Sequence, residues 1–340
     1  MIFAIETSCD ETSVAILNFK GKLLSHIVVN QQNHHKFGGV VPEIASRAHL
    51  QILQNIIPKA FEEIGIKAKD IDIFCATCGP GLIGCLLVGS TIAKSMSIGN
   101  NKPFYPINHL EGHLLSPLLF NKIDFPFLSL LLTGGHTQIY LVENIGKYKL
   151  LGETVDDAIG ESFDKVAKLL GLGYPGGPLI EKKAVNGNIN SFKLPHPLEY
   201  KKNLSFSFSG IKTAVSLLIK KQNEIDEKII FDIAASFQNK IIEILKKRTN
   251  LALTMLKEKG YNIKDVAIVG GVAANKIINK SFKQLCKENN CRFVFPPQDM
   301  CGDNAAMIAW ACLQKYKKNI KPDLHFKENP RWSLSKIINL

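Results

Sequence analysis

The segment IFAIETSCDETSVAIL, residues 2–17, has two apolar runs on either side of a polar turn from Thr7 to Thr12. Apolar runs that flank a short polar segment are typical of a β-hairpin. FLSLLLTGGHTQIYLV, residues 127–142, has the same plan, with glycines at its turn. Two similar hairpins well over a hundred residues apart indicate an internal duplication, in which each half opens with a hairpin whose turn faces a shared cleft.

Strand and helix patterns alternate after each hairpin. Residues 71–80 are strand-like and precede a helical pattern over 82–98, and residues 42–65 are also helical by their periodicity. In residues 266–278, VAIVGGVAANKII, a strand enters a Gly-Gly turn and then a helix. This alternation predicts an α/β fold in which helices cover the sheets. A chain of 340 residues favours two domains, and we place their boundary near residues 121–126.

Composition limits the class of protein. Apolar residues make up 46% of the chain, which is enough for substantial cores. No apolar run reaches about 18 residues, so we expect no membrane span. The start of the chain lacks signal-peptide features, which predicts a cytosolic protein. The net charge of +12 favours partners rich in phosphate, such as nucleic acid, although lysines spread over solvated faces explain it equally well.

The eight cysteines are scattered and do not resemble a disulfide framework. Cys75 and Cys78 form a single C-x-x-C at the end of an apolar strand. Without a second such pair the evidence for zinc is weak, and buried free thiols are the favoured interpretation.

The glycine turns are candidate anion sites. In TGGHT, successive backbone N–H groups share one turn with the hydroxyls of Thr133 and Thr137, and VGGVAAN places a helix start after two glycines. A Gly-Gly pair is more often an ordinary turn. The turns in residues 2–17, 127–142 and 266–278 make three in duplicated halves, which favours a nucleotide held between two domains.

Acidic residues and histidines supply the second group of candidates. ETSCDET carries Glu6, Asp10 and Glu11 at a hairpin turn, either as turn formers or as carboxylates poised beside a phosphate or metal, or as a base. In HLEGH, His109 and His113 are four residues apart and share one helix face.

Two ordinary histidines explain this spacing equally well, and a third ligand decides between the alternatives. Asp303, at a predicted helix start, is that candidate. Two histidines and one aspartate leave open positions on a metal, as a catalytic site requires. Glu111 lies on another helix face from the histidines and is misplaced for the base of a zinc protease.

Several blocks of the sequence together resemble the universal tRNA threonylcarbamoyladenosine transferase family, whose bacterial form is TsaD and which was formerly described as a glycoprotease. The resemblance extends from residue 2 to about residue 333. The blocks are IETSCDETSVAI, GGVVPEIASRAH, GPGLIGCLLVG, NHLEGH, LLTGGHTQIY, DDAIGESFDKVAKLLGLGYPGGP, FSFSGIKTAV, VGGVAANK and CGDNAAMIA.

The resemblance implies a two-lobed α/β fold of the actin-like, sugar kinase and Hsp70 ATPase class, with the active site in the cleft between the lobes. We assign residues 1–122 to the N-terminal lobe and residues 123–340 to the C-terminal lobe, with a C-terminal segment able to pack back on the first. The implied reaction transfers a threonylcarbamoyl group from threonylcarbamoyl-AMP to N6 of the adenosine 3′ to the anticodon, position 37, in tRNAs that read codons starting with A, forming t6A.

The resemblance also implies which residues act. His109, His113 and Asp303 would bind one iron or zinc ion, and Asp10 and Glu11 would lie beside the reacting end as catalytic residues. The residues implied to contact the adenylate are Leu131, Leu132, Thr133, Gly134, Gly135, Asp164, Gly177, Glu181 and Asn275.

The chain departs from many relatives at two of these places. Gly302 stands where many relatives carry threonine, so capping of the helix after Asp303 is expected to differ. Glu181 stands where many carry aspartate, which moves the carboxylate by one methylene.

The resemblance implies three partners: tRNA, a shorter degenerate paralogue (TsaB-type) and a small P-loop ATPase (TsaE-type). We place the partner surface on the helix around residues 43–64. Rival functions are a metalloprotease, an ATP-dependent small-molecule kinase or chaperone, and an inactive scaffold that binds nucleotide and partners. The proposed metal ligands argue against a scaffold, because a scaffold has no need of an open metal site.

Overall fold

The computed structural model of the protein describes residues 1–31, 39–200, 202–222 and 225–334. Gly38, which begins one of the resembling blocks, lies outside the described residues, as do the last residues of the C-terminal segment, 335–340. The chain divides into two compact units. The first comprises Met1–Lys122, Ile145–Tyr148 and Asp303–Leu340, and the second comprises Ile123–Asn144 and Lys149–Gly302.

The first unit is built on a mixed five-stranded sheet. Its strands are β1 Ile2–Glu6, β2 Glu11–Leu17, β3 Leu23–Asn30, β4 Ile73–Gly79 and β5 Phe104–Asn108. They lie in the order β3-β2-β1-β4-β5, with β1 antiparallel to β2 and parallel to β4. The predicted hairpin is confirmed, since Ile2 pairs with Leu17 and Glu6 with Ser13.

The second sheet repeats this plan. Its strands are β6 Phe127–Leu132, β7 Thr137–Asn144, β8 Lys147–Glu153, β9 Asp265–Val269 and β10 Arg292–Val294. Their order, β8-β7-β6-β9-β10, matches the first sheet strand for strand, and β6 is again antiparallel to its hairpin partner and parallel to the next strand. The shared strand order confirms the duplication predicted from the two hairpins.

Helices cover the sheets, as the alternating pattern predicts. The first unit has α1 Pro42–Glu62, α2 Ile83–Gly99, α3 His109–Leu115, α4 Pro117–Phe120 and α10 Ala305–Lys317. The second has α5 Ile159–Leu169, α6 Gly176–Ala184, α7 Ser209–Lys220, α8 Glu227–Glu258 and α9 Lys276–Glu288. Every residue of β1, β6 and β9 is buried, which requires apolar cover on both faces of each sheet.

The C-terminal residues return to the first unit. From the sequence we assigned residues 123–340 to one lobe, with a C-terminal segment able to pack back. In the structure, Asp303 and the residues after it belong to the first unit, where α10 packs against β1 and β2. None of the helices in the described residues combines the length and apolarity needed to cross a bilayer.

The centre of the second sheet predicts where the fold is sensitive to truncation. Leu130 is fully buried between Ile139 of β7 and Ile268 of β9. Leu130→Ala should lower the free energy of unfolding by about 2–5 kcal/mol, because it leaves a cavity. Leu150→Ala on β8, where the leucine is 43% exposed, is the matched control and should cost under about 1 kcal/mol. Urea denaturation measures both, and equal losses would contradict this assignment of the core.

Candidate functional site

His109 and His113 occupy one face of α3 because of how that helix begins. The Asn108 side chain caps the helix by accepting hydrogen bonds from the backbone N–H of Leu110, at 2.9 Å, and of Glu111, at 3.3 Å. His109 is therefore the first helical residue, and His113 follows one turn later. Their ring centroids are 4.7 Å apart and both side chains are buried.

Asp303 completes the cluster from the start of α10. Asn304 caps this helix by accepting from the Met307 N–H at 3.0 Å, and the Ala305 N–H donates to Ser13 Oγ at 2.9 Å. Asp303 Oδ1 lies 3.0 Å from His113 Nε2 and 3.5 Å from His109 Nε2. Because Asn304 supplies the cap, the Gly302 departure does not alter it. A Cβ on Gly302 would meet no atom within 4 Å in the described part of the chain beyond its two neighbours.

The three side chains fit a metal ion. Their ligand atoms all lie within 4.8 Å of one another. A metal with bonds of about 2.1 Å separates neighbouring ligands by roughly 3–3.5 Å, close to the two distances to Asp303. Two imidazoles and one carboxylate are a donor set used by zinc and by non-haem iron with open positions.

A buried carboxylate, Glu6, orients His109 from behind. Glu6 is fully buried at the end of β1, accepts from the Ser8 N–H at 2.6 Å, and is hydrogen-bonded by the Thr77 hydroxyl. Glu6 Oε2 and Ser8 Oγ both lie 3.2 Å from His109 Nδ1. A proton held on Nδ1 leaves Nε2 free to ligate a metal, which is the usual arrangement behind a metal-bound histidine.

The cluster also controls where a proton resides. Burial lowers the pKa of His109, but the negative charges of Asp303 and Glu6 outweigh it and raise that pKa well above its ordinary value. Burial and the neighbouring His109 lower the pKa of His113. Burial raises the pKa of Asp303, but the histidines outweigh this and hold it below its ordinary value. Binding of a metal ion to this cluster would therefore compete with protons.

Glu111, between the two histidines, points into the protein. It is fully buried, accepts from the Tyr148 hydroxyl at 2.9 Å and lies 3.2 Å from Lys315 Nζ of α10. A carboxylate held by two buried partners is not available as the base of a peptidase. Gly112 is equally constrained, because a Cβ there would meet Ile308 of α10 at 2.9 Å. The motif thus also sets the packing of α3 on α10.

Asp10 and Glu11 lie at the turn of the first hairpin, as predicted. Burial, then the charges of Asp303 and Asp10, raise the pKa of Glu11 well above its ordinary value. His49 of α1 holds the turn, with Nδ1 2.7 Å from Thr12 Oγ1 and Nε2 2.9 Å from the Cys9 carbonyl oxygen.

In the second unit, three glycine-bearing segments meet at the end of β6. A Cβ on Gly160 of α5 would lie 2.8 Å from Gly134 Cα, and one on Gly270 would lie 2.5 Å from the Leu132 carbonyl oxygen. Gly270 also has φ +93°, in the left-handed region that favours glycine. These contacts bring the TGG and VGG turns together.

Within the TGGHT turn, two backbone N–H groups already have a hydrogen-bond acceptor, which the sequence did not reveal. Thr133 Oγ1 accepts from the N–H of Gly135, at 3.3 Å, and of His136, at 2.9 Å. The Thr137 hydroxyl is buried and accepts the Ile159 N–H at 2.7 Å, so it holds the start of α5. Leu131 and Leu132 are fully buried in β6, so only their backbone can meet a ligand.

The other predicted adenylate residues are joined by capping hydrogen bonds. Asp164 accepts the Gly176 N–H at 2.7 Å, at the start of α6. Glu181, one turn after Gly177 on α6, accepts the Lys276 N–H at 2.7 Å, at the start of α9. Asn275 caps α9 and donates to Gln238 Oε1 at 2.8 Å. These bonds connect Asp164 to the start of α6, which carries Gly177 and Glu181, and Glu181 to the start of α9, next to Asn275.

Sequence reasoning missed Glu6, Ser8, Thr77 and His49 as supports of the candidate site. Glu6 was noted as one of three carboxylates, but no sequence spacing pointed from β1 to His109, about a hundred residues away. The C-x-x-C holds no disulfide: Cys75 and Cys78 are buried free thiols in β4, as favoured.

Comparison with solved structures places the fold in a known class. The chain aligns over 98% of its length with a full-length HypF, of which it covers 47%, at a TM-score of 0.61 and 12% identity. It also aligns over 94% of its length with component A of the Acidaminococcus fermentans (R)-2-hydroxyglutaryl-CoA dehydratase, covering all of that chain at a TM-score of 0.53 and 17% identity. These likenesses confirm the actin-like, sugar kinase and Hsp70 ATPase class of fold.

Sequence comparison narrows the class to one family. The family model for TsaD, tRNA N6-adenosine threonylcarbamoyltransferase, matches residues 22–310. A curated enzyme of that name from Wolbachia pipientis wMel is 46% identical over 98% of both chains, and one from Rickettsia massiliae is 46% identical over 99% of both. The chain belongs to the TsaD family of transferases.

The arrangement around His109 predicts metal affinity. His113→Ala should abolish tight binding of Fe²⁺ or Zn²⁺. Glu6→Gln should weaken it by about 10–100-fold, because the Glu6 carboxylate contacts His109 Nδ1 and orients that ring. Equilibrium dialysis with metal analysis measures both. Glu62→Gln, an exposed glutamate of α1, is the matched control. Wild-type affinity in Glu6→Gln would contradict its orienting role.

The buried pair of Glu111 and Lys315 predicts a large effect on stability. Glu111→Gln should lower the free energy of unfolding by about 3–5 kcal/mol, because it leaves the Lys315 charge buried without its partner. Adding Lys315→Met should restore part of this loss, which a double-mutant cycle in urea resolves. Glu43→Gln removes a pair with Arg47 that is exposed on both sides, and should cost under about 1 kcal/mol. A similar small loss for Glu111→Gln would show that the buried pair is not stabilising α3.

Proposed function

We propose that the protein transfers the threonylcarbamoyl group from threonylcarbamoyl-AMP to N6 of adenosine 37 in tRNAs that read codons starting with A. The observation that carries the proposal is the buried cluster of His109, His113 and Asp303, supported by Glu6. Membership of the TsaD family supports the class of reaction.

His109, His113 and Asp303 would hold one Fe²⁺ or Zn²⁺ ion. When bound, such an ion would accept the threonyl part of the donor at its open coordination positions and would polarise the donor's carbonyl as a Lewis acid. Glu6 and Ser8 keep the His109 ring in the orientation and tautomer that this requires.

The glycine-rich end of the second unit would hold the adenylate. Among the described residues, apart from each glycine's chain neighbours, no atom lies within 4 Å of the positions that a Cβ would take on Gly134, Gly135 and Gly177, so a ligand can approach the backbone there. The turn from Leu131 to Gly135 would hold the phosphate through its backbone. The capping group of Asp164, Glu181 and Asn275 would border the adenosine.

In this proposal, positioning of the adenine amine against the donor supplies much of the rate enhancement. The donor is a mixed anhydride with AMP as its leaving group, whereas the adenine amine is a poor nucleophile that must be held against the carbonyl. Glu11 or Asp10 accepts the proton that the amine loses. Burial raises the pKa of Glu11, and the deprotonated form of such a carboxyl is a stronger base than an exposed carboxylate.

The proposed partners are tRNA, a degenerate paralogue of TsaB type and a small P-loop ATPase of TsaE type, in the cytoplasm. The net charge of +12 supports tRNA as a partner. We propose the neighbouring helices α1 and α2 as the paralogue surface, because they expose Leu50, Ile83 and Leu87. Exposed apolar side chains of this size are common at protein interfaces.

A reconstituted transfer reaction tests the proposal. The purified chain is incubated with threonylcarbamoyl-AMP, tRNA transcript and both proposed partners, and the digested tRNA is analysed by mass. We expect t6A from the wild type and a loss of at least about 100-fold in His109→Ala and Asp303→Ala, because each removes a ligand.

Another family member, run with the same partners, is the positive control. Product that survives both substitutions would exclude a metal from the transfer. An absence of product from the wild type, with partners that support the control enzyme, would overturn the function and favour a nucleotide-binding scaffold.

A further inference from the structure

A groove lined by lysines lies between α5 and α7 in the second unit. Its volume is about 720 Å³. Leu169 and Leu217 contribute apolar surface, and both are partly exposed. Its four lysines are Lys165, Lys168, Lys212 and Lys220.

Helical spacing brings these charges to one surface. On α7, Lys212 and Lys220 are separated by two turns and share a face with Ser216, while Ile211 and Val215 are buried on the inner side. Their backbones are therefore about 12 Å apart along the helix axis, at about 1.5 Å per residue. Lys165 and Lys168 are neighbours on the facing helix α5.

Carboxylates neutralise only part of this charge. Lys165 pairs with Asp157 at 2.8 Å and with Glu161 at 2.7 Å. In the part of the chain that the structure describes, Lys168, Lys212 and Lys220 form no ion pair. Cations gathered around one groove repel one another, so a bound polyanion would relieve that repulsion.

Helix α5, which borders the groove, begins at the proposed adenylate turn. The Gly160 N–H, at the start of α5, donates to the Thr133 carbonyl oxygen at 3.2 Å. Lys168 follows eight residues later, or about 12 Å along the helix axis. A tRNA whose adenosine is held against the donor at this turn therefore has further phosphates of its chain within reach of the groove.

We propose that this α5–α7 groove binds the phosphodiester backbone of tRNA. The inference rests on the proposed function, which makes tRNA the polyanion. Lysine ammonium groups bind phosphates as point charges. The described lining residues include neither arginine nor an aromatic side chain, so the groove holds the backbone and does not read bases.

The test compares two triple charge reversals in the full-length protein. The groove variant carries Lys168→Glu, Lys212→Glu and Lys220→Glu. The control variant reverses three exposed lysines on α8 and α9: Lys257→Glu, Lys283→Glu and Lys287→Glu. Each variant replaces three positive charges by three negative ones, so both change the net charge from +12 to +6. Circular dichroism checks that each variant is folded.

Affinity for a tRNA transcript is measured by filter binding at several salt concentrations, without donor or transfer. The groove variant should bind tRNA at least about tenfold more weakly. The slope of log K against log salt should become less steep by about 2–3, since each lost phosphate contact reduces the magnitude of that slope by about 0.7–0.9. The control variant should stay within about twofold of the wild type.

Equal weakening in the two variants would show a general charge effect and overturn the proposal, as would wild-type affinity in the groove variant. Retained tRNA binding with lost binding of a polyglutamate peptide would assign the groove to an acidic protein instead. Because no transfer is measured, a wild type that binds tRNA through the groove but forms no t6A would disprove only the proposed function.

Discussion

The first unit depends on the hydrogen bonds of one buried carboxylate, Glu6. It ends the central strand β1, where burial without partners would be costly. The Ser8 backbone, the Thr77 hydroxyl and the His109 ring all contact it. These bonds connect the hairpin turn, strand β4 and helix α3, so the same group that satisfies the end of the strand also orients a proposed metal ligand.

The two units share one strand order but carry different residues at their hairpin turns. In both, the first strand of a hairpin also pairs in parallel with a later strand, and the hairpin turn lies at the same end of the sheet. In the first unit the turn carries Asp10 and Glu11 and the next elements supply histidines. In the second the turn is glycine-rich and leaves its backbone open at Gly134 and Gly135. A turn with side-chain carboxylates suits proton transfer, whereas a bare backbone turn suits an anion.

Several residues proposed to contact the adenylate also accept hydrogen bonds at the N-terminal ends of helices. Asp164, Glu181 and Asn275 each accept from a backbone N–H at the start of α6 or α9. Unsatisfied N–H groups at a helix start need partners, and the same region of positive potential attracts anions. The Glu181 departure keeps such a bond, since its longer side chain still reaches the Lys276 N–H.

The hairpins, the duplication, the buried strands and the His109–His113 pair were predictable from the sequence, because they depend on local periodicity and spacing. It also excluded Glu111 as a zincin-type base, since helix geometry alone places it on another face. The folded structure was needed to show that Glu6 lies against His109, that Lys315 lies against Glu111 and that Asp303, just before α10, belongs to the first unit. Those contacts join residues about a hundred or more positions apart, and no local pattern encodes which distant side chain will satisfy a buried charge.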